Sequence, residues 1–553
     1  MLQRIIQAAF LVGFVFLLFF GAETGALGLP ASLFLRLSPL VAIGTMVSAR
    51  LLIASMAVAA LVVLAALVFG RFFCAYVCPL GTTIDGLEWL TFRRRKRREA
   101  HASGRLRPIK YYLLALLIVS ALFGLNLVYV FDPIALATRA YTFLAYPLAI
   151  LAANTFLDVL RPLAMRLDWV GLSFTRFSQP VYMANLVTLL ILAGIVALGA
   201  IQPRFWCRNL CPMGALLSLV SRWGVFRRTV ASGCTNCLQC IRHCPMDAIP
   251  EDPHKTRIRE CTQCRTCVRV CPERVVSFNV VSPFKSAAPV HVGVGLSRRT
   301  LLLAVAGGSA ASFAAYGHPA RIMRNPDVIR PPGALPEQDF LDTCVRCGNC
   351  MRTCITNTLQ PCTVQYGLRN TWSPRLVQRL SPCEATCNLC GQVCPTQAIR
   401  NLALEEKVVA KIGTAYIDRR RCLAWEHDRL CLICDEQCPY DAIELTDVEG
   451  LKSPVVHEHK CAGCGMCESK CPVEGKAAIV VLPTGEIRLK AGSYLQEVER
   501  RNLEIRLVDK PIVPQTENTL DLSIEDLGLD PENLPPLPPG FITDEEIDKI
   551  KEQ

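Results

Sequence analysis

The sequence predicts two kinds of fold in one chain: an α-helical membrane domain of four spans plus a fifth crossing, and small α+β modules built around metal clusters. Three observations predict it. Hydrophobic residues make up 52% of the 553 residues, with a mean hydropathy of +0.32, and they gather in runs long enough to cross a bilayer as helix. The 29 cysteines fall mostly in C-x2-C-x2-C-x3-C runs, the spacing of cluster ligands rather than of a disulfide scaffold. Third, Arg298-Arg299 precedes an apolar, Gly/Ala/Ser-rich stretch in mid-chain, the pattern of a twin-arginine export signal.

The formal charge of +12 raises nucleic acid as a partner, but its distribution argues for lipid. The densest basic run, Arg93 to Arg98, lies between two apolar stretches, where cations fix topology and meet anionic headgroups. No P-loop, dinucleotide fingerprint or nucleophile–base pairing is present, which leaves electron transfer rather than substrate chemistry.

Residues 1–225 form the expected membrane domain, with spans at Ile5–Gly21, Leu51–Gly70, Tyr111–Val130 and Val181–Ile201. The stretch Arg71–Lys110 carries ten Lys/Arg and Asp132–Gln179 four, so the first lies on the cytoplasmic side. Four crossings return the chain inside, where a twin-arginine signal has to start. The segments Ser32–Ala49 and Tyr141–Leu157 read as interfacial or re-entrant pieces on the outer side. No histidine occurs in the four spans, which argues against a bis-histidine haem there.

This domain repeats itself. Arg71-Phe72-Phe73-Cys74-x3-Cys78-Pro79 matches Arg204-Phe205-Trp206-Cys207-x3-Cys211-Pro212, with Pro39-Leu40 and Pro147-Leu148 in comparable settings upstream. Parallel repeats place Cys74, Cys78, Cys207 and Cys211 together at the inner membrane surface. Four thiolates there could hold a further metal centre; buried apolar cysteines or disulfides are the alternatives.

Residues 226–285 carry Cys234, Cys237, Cys240 and Cys244-Pro245, then Cys261, Cys264, Cys267 and Cys271-Pro272. This is the spacing of a bacterial-type ferredoxin with two [4Fe–4S] clusters, the fourth cysteine of each run serving the other cluster. Cys234, Cys237, Cys240 and Cys271 are expected in one site, and Cys261, Cys264, Cys267 and Cys244 in the other.

Residues 290–320 hold the internal signal; an ordinary helix with arginines at its inner end is the other reading. Residues 338–500 carry four more groups: Cys344, Cys347, Cys350 and Cys354 (followed by Ile355 where proline is usual), Cys383, Cys387, Cys390 and Cys394, Cys422, Cys431, Cys434 and Cys438, and Cys461, Cys464, Cys467 and Cys471. These make a polyferredoxin of four sites, six [4Fe–4S] clusters in all, with Cys362 left over and the outer pairing open. Ala398-Ile399 and Ala442-Ile443 are expected to open small strands. Residues 501–553 are Pro-rich and acidic and build no core.

The first half resembles NapH/MauN-type ferredoxin membrane proteins in its spans, C-x3-C-P pairs and two-cluster module. The second half resembles the NapG/MauM-type polyferredoxin with its twin-arginine leader. The resemblance implies a fusion of the two in the cytoplasmic membrane, with the inner ferredoxin cytoplasmic and the polyferredoxin periplasmic. It further implies a quinol dehydrogenase component drawing on the quinone pool and serving a periplasmic reductase or cytochrome, as in nitrate reduction. An electron-donating maturation factor for a methylamine dehydrogenase-like enzyme, or a wire from cytoplasmic donors, are the alternatives.

Overall fold

The computed structural model describes residues 2–21, 30–92, 106–183, 185–281, 296–316, 328–367, 369–427, 429–448 and 451–508. The Arg93–Arg98 run and the tail after 508 fall outside them. Helices dominate the first 225 residues. Among the described residues two are long and apolar enough to cross a membrane, Gln3–Phe20 and Pro133–Arg166, while Ala54–Phe69, Ile109–Leu122 and Asn185–Ala200 are apolar but shorter. The expected spans at Leu51, Tyr111 and Val181 therefore form, but short of the roughly 20 residues a bilayer asks. Helix Arg298–Tyr316, the expected fifth crossing, is not apolar enough to join the two.

Two expectations need correction. Tyr141–Leu157 is not a separate surface piece; it continues Pro133–Ala140 through a π-turn at Tyr141–Ala145 into Tyr146–Arg166. Nor is Pro147 the counterpart of Pro39. That role falls to Pro133, because both Pro39 and Pro133 open a helix inside the bundle where proline's missing N–H costs nothing. Ser38 Oγ accepts from Val41 N–H at 3.3 Å, and the Asp132 carboxylate from Ile134 and Ala135 N–H at 3.0 and 2.9 Å. Ser38 Oγ in turn donates to Asp132 at 2.7 Å, so the two helix starts meet.

The two ferredoxin modules sit at opposite ends of the bundle. At one end, Glu260 meets Arg71 and Lys110 at 3.1 and 2.6 Å, and Tyr76 Oη donates to the Gln263 carbonyl at 3.0 Å. At the other, Arg352 donates to the Phe19 carbonyl at 2.9 Å, Asn126 to the Asp342 carbonyl at 3.2 Å, and Gln360 to the Val181 carbonyl at 2.8 Å. Helix Arg298–Tyr316 runs alongside Ile109–Leu122: Ser297 N–H bonds Tyr112 Oη at 2.8 Å, and the Phe313 and Phe123 rings lie 5.7 Å apart near the far end. A side chain on Gly308 would meet the Leu116 carbonyl at 2.8 Å, so glycine sets that approach.

Strands are short and paired two by two. In the module nearer the N-terminus β1 (Phe226–Val230) pairs antiparallel with β2 (Val276–Val280). Beyond it β3 (Leu359–Pro361) pairs with β4 (Pro374–Leu376), β5 (Thr414–Ile417) with β8 (Ile479–Leu482), and β6 (Ile443–Val448) with β7 (Leu451–Val456), all antiparallel. Ile443 opens a strand as expected, whereas Ile399 makes only a single bridge to Ala334. All this belongs to one compact unit, Met1–Leu507. Buried Cys350, Cys434, Cys438, Cys461 and Cys467 join Phe340, Leu359 and Ile479 in the core beyond the bundle.

Candidate functional site

In the regular cysteine runs the backbone is bent in a repeating way. The residues two and four after the first cysteine take positive φ: Asn236 and Leu238, Gln263 and Arg265, Arg346 and Gly348, Gly463 and Gly465. Alternating left-handed residues turn successive N–H groups toward one side, a nest that suits an anionic, sulfur-rich group. The irregular runs starting at Cys383 and Cys422 show no such pair among the described residues, because their inserted residues change the spacing. Three residues after the last cysteine the chain is again left-handed at Asp247, Arg274, Asn357, Gln397 and Asp441. Asn357 belongs to the run with Ile355, so losing the proline did not alter that turn.

The structure gathers the inner cysteines in two quartets. A cavity of about 340 Å³ is lined by Cys234, Cys237, Cys240 and Cys271. Cys244, Cys261, Cys264 and Cys267 lie within electrostatic reach of one another. Burial pushes the Cys267 thiol up to about 11 while Arg228 opposes it; such thiols are neutral until a metal displaces their protons. Ala248 N–H points to Cys244 Sγ at 3.3 Å and Arg228 Nη2 to Cys240 Sγ at 3.6 Å.

The outer pairing, which spacing left open, obeys the same exchange between neighbouring runs. Cys394 stands with Cys344, Cys347 and Cys350, and Cys354 with Cys383, Cys387 and Cys390. Cys438 joins Cys461, Cys464 and Cys467. Cys471 joins Cys422, Cys431 and Cys434 around a cavity of about 390 Å³. Backbone N–H groups of Ile399, Ala442 and Ala415 approach Cys394, Cys438 and Cys461 Sγ at 3.4–3.5 Å. Cys362 takes no place in these quartets; it is fully buried, with Arg330 Nη1 at 3.9 Å.

All 29 cysteines are free of disulfides, and no group of three or more His, Cys, Asp or Glu among the described residues is gathered for a single metal ion. A cubane asks for something else, four thiolates each on a different iron and therefore further apart. Quartets of thiols lined with N–H donors fit that group.

The membrane-domain cysteines also converge. Cys78 lies within electrostatic reach of Cys74, Cys207 and Asp132, and Cys211 of Cys207, Cys74 and Cys78. Each C-x3-C-P run turns the same way: Cys78 N–H bonds the Phe73 carbonyl at 3.0 Å and Cys211 N–H the Trp206 carbonyl at 2.9 Å, a span of five residues in both. Cys211 then caps the next helix, its Sγ accepting from Gly214 N–H at 3.3 Å. The start of helix Pro212–Val220 is thus directed at this group of thiols, a favourable field for anionic sulfur.

Arg71 and Arg204, matched in the repeat, meet different acids. Arg71 pairs with Glu260, next to Cys261, and Arg204 with Asp85. Burial pushes the Glu260 carboxyl up, but Lys110 and Arg71 outweigh it and hold it below the usual range. Arg298 and Arg299 stand exposed at the start of their helix, away from the quartets.

A chain with ferredoxin backbones around thiol quartets is an iron–sulfur electron-transfer protein. Residues 51–98 and 184–230 match the family described as 4Fe-4S binding domain, and residues 227–272 and 429–474 match families described as 4Fe-4S dicluster domain. NapG of Escherichia coli, a ferredoxin-type protein, is 36% identical over 201 residues, 34% of this chain and 85% of the relative. MauM of Methylorubrum extorquens, a methylamine utilization ferredoxin-type protein, is 39% identical over 165 residues, 28% and 72% of the two chains. NapF of Escherichia coli is 30% identical over 152 residues, 27% and 84%. The chain belongs to the NapG/MauM family of ferredoxin-type proteins, which its C-terminal region matches. No solved structure matches.

Proposed function

We propose that the chain is a cytoplasmic-membrane electron relay, a NapH/MauN-like membrane part fused to a NapG/MauM-like polyferredoxin, which draws on the quinol pool and delivers electrons to a periplasmic reductase or cytochrome. The observation that carries this reading is the placement of the two ferredoxin modules at opposite ends of an apolar helix bundle, fixed by Glu260 with Lys110 and by Arg352 with Phe19. The Gln3–Phe20 and Pro133–Arg166 helices support membrane residence, and the exposed Arg298-Arg299 pair at a helix start supports export of the polyferredoxin half.

Six [4Fe–4S] clusters, when bound to the 24 cysteines named above, supply one-electron transfer. The protein's own residues set the terms. The 23 quartet cysteines apart from Cys237 are buried or only partly exposed, which lowers the local dielectric. Nests and N–H···S contacts stabilise negative charge on sulfur, favouring the reduced form. A second reading, an electron donor in methylamine dehydrogenase maturation, is favoured by the 39% identity to MauM.

The test is anaerobic: full-length protein in liposomes receives menaquinol, and bleaching of cluster absorbance is monitored. Reduction by quinol supports the relay; reduction only by a soluble cytoplasmic donor refutes it in favour of a wire from inside.

A further inference from the structure

We propose that a cleft between helices Pro79–Phe92, Pro133–Ala140 and Asn185–Ala197 binds the headgroup of a quinone, with Arg139 and Trp372 as its polar end. This rests on the quinol reading above and gives it a place. The cleft is narrow and is walled by Leu80, Leu136, Ile191 and Ile195. A ring seated there would have to part these side chains, its tail leaving along the outer side of the bundle. Leu189 and Leu190, on the same helix as Ile191, are 49% and 62% exposed.

The polar end is what makes it a site rather than a packing defect. Arg139 is 1% exposed. One of its N–H groups reaches the Tyr129 carbonyl at 2.6 Å, while Nε and Nη1 have no hydrogen-bond partner among the described residues. Bare buried donors are costly and ask for an acceptor. The guanidinium lies 4.5 Å from the Trp372 ring centroid, and Trp372 also lines the cavity. A planar, uncharged molecule with carbonyl or hydroxyl oxygens at its edge satisfies both, accepting from Arg139 and stacking near Trp372. Apolar walls of this kind repel a free anion.

The cleft also stands where a donor to the polyferredoxin belongs. Arg139 is within electrostatic reach of Cys347, and Cys347 packs in the same apolar core as Leu80 and Leu136. Oxidation of a bound quinol to quinone releases two electrons and two protons. An oxidised [4Fe–4S] centre held by Cys344, Cys347, Cys350 and Cys394 would accept the electrons one at a time, with the protons released to water on the polyferredoxin side. Entry at this end makes the inner ferredoxin dispensable for quinol oxidation.

The experiment is calorimetric titration of the purified, cluster-loaded full chain in detergent with decylubiquinone. Two variants are compared with the parent protein, Arg139→Met and Ile191→Trp, the latter filling the cleft without touching a buried charge. Iron content and melting temperature serve as folding controls. At least tenfold weaker binding in Ile191→Trp, with iron content unchanged, is the expected result. Equal affinity in parent and Ile191→Trp overturns this site while leaving the quinol reading standing; no binding to the parent protein overturns both.

Discussion

Cys383 donates its backbone N–H to the Cys464 carbonyl at 2.8 Å, tying the second outer cysteine run to the fourth. Tyr440 lies in the same place, within electrostatic reach of Cys464, Cys383, Cys438 and Cys461. The four outer quartets are therefore connected in order: the Cys347 quartet packed with the bundle core, then those of Cys383, Cys464 and finally Cys422. Each neighbouring pair is joined either by exchange of a fourth cysteine or by this hydrogen bond.

The exchange is testable by double substitution. Cys394→Ser with Cys350→Ser strikes one quartet, so the pair is expected to lose about four irons of about 24. Cys394→Ser with Cys390→Ser strikes two and is expected to lose about eight. Anaerobic iron analysis with EPR of the dithionite-reduced protein decides; the reverse order of losses would mean that each run keeps its own fourth cysteine.

The inner ferredoxin is held to the bundle by buried charge. Glu260 is 5% exposed and faces Arg71 and Lys110, both at 0%. Removing one partner of such a group leaves charge without compensation, typically about 3–5 kcal/mol. Glu260→Gln is therefore expected to lower the unfolding midpoint markedly, with Asp252→Asn, on the surface of the same module, as a near-neutral control. Equal midpoints for the two variants would show that Glu260 does not carry the docking.

The grouping of the inner cysteines was legible in the sequence because spacing is local: the spacing from Cys234 to Cys271 pairs them as the structure gathers them. The outer pairing was not, since insertions after Cys383 and Cys422 break the regular spacing and only folding brings Cys471 to Cys422. Helix lengths were misread for a related reason. The apolar run Tyr111–Val130 reads as one span, whereas its helix stops at Leu122, a single turn forms at Val128–Phe131, and the next helix opens at Pro133 behind the Asp132 cap. Arg139 and Trp372 escaped notice altogether; they lie 233 residues apart, and neither belongs to a motif.

Acid should loosen the polyferredoxin through Glu337. Burial raises its carboxyl, but Arg330 and then Arg488 outweigh it and hold the carboxyl at about 2. A carboxyl whose pKa is depressed on folding contributes stability above its unfolded value, about 4.3, and that contribution is lost as pH falls toward 2. The midpoint of thermal unfolding is expected to drop over that interval in the parent protein. Glu337→Gln should start lower and vary less with pH there; parallel curves would remove Glu337 as the cause.

The bundle's own cysteines give the last prediction. Cys74, Cys78, Cys207 and Cys211 converge, carry no disulfide, and are met by the first turn of helix Pro212–Val220, where Gly214 N–H already points to Cys211 sulfur. If the four thiols hold a metal centre, fully loaded protein contains more iron than the roughly 24 atoms of six cubanes. Cys207→Ser then removes only the excess and leaves the EPR signals of the six clusters in place. If the four only pack, a Cys-to-Ser change in this apolar setting lowers the melting temperature and the iron count stays the same. A metal ligand and a packing residue thus differ in which quantity moves. Measuring iron and melting temperature together on Cys74→Ser, Cys78→Ser, Cys207→Ser and Cys211→Ser separates them, and unchanged iron in all four would reduce this quartet to core.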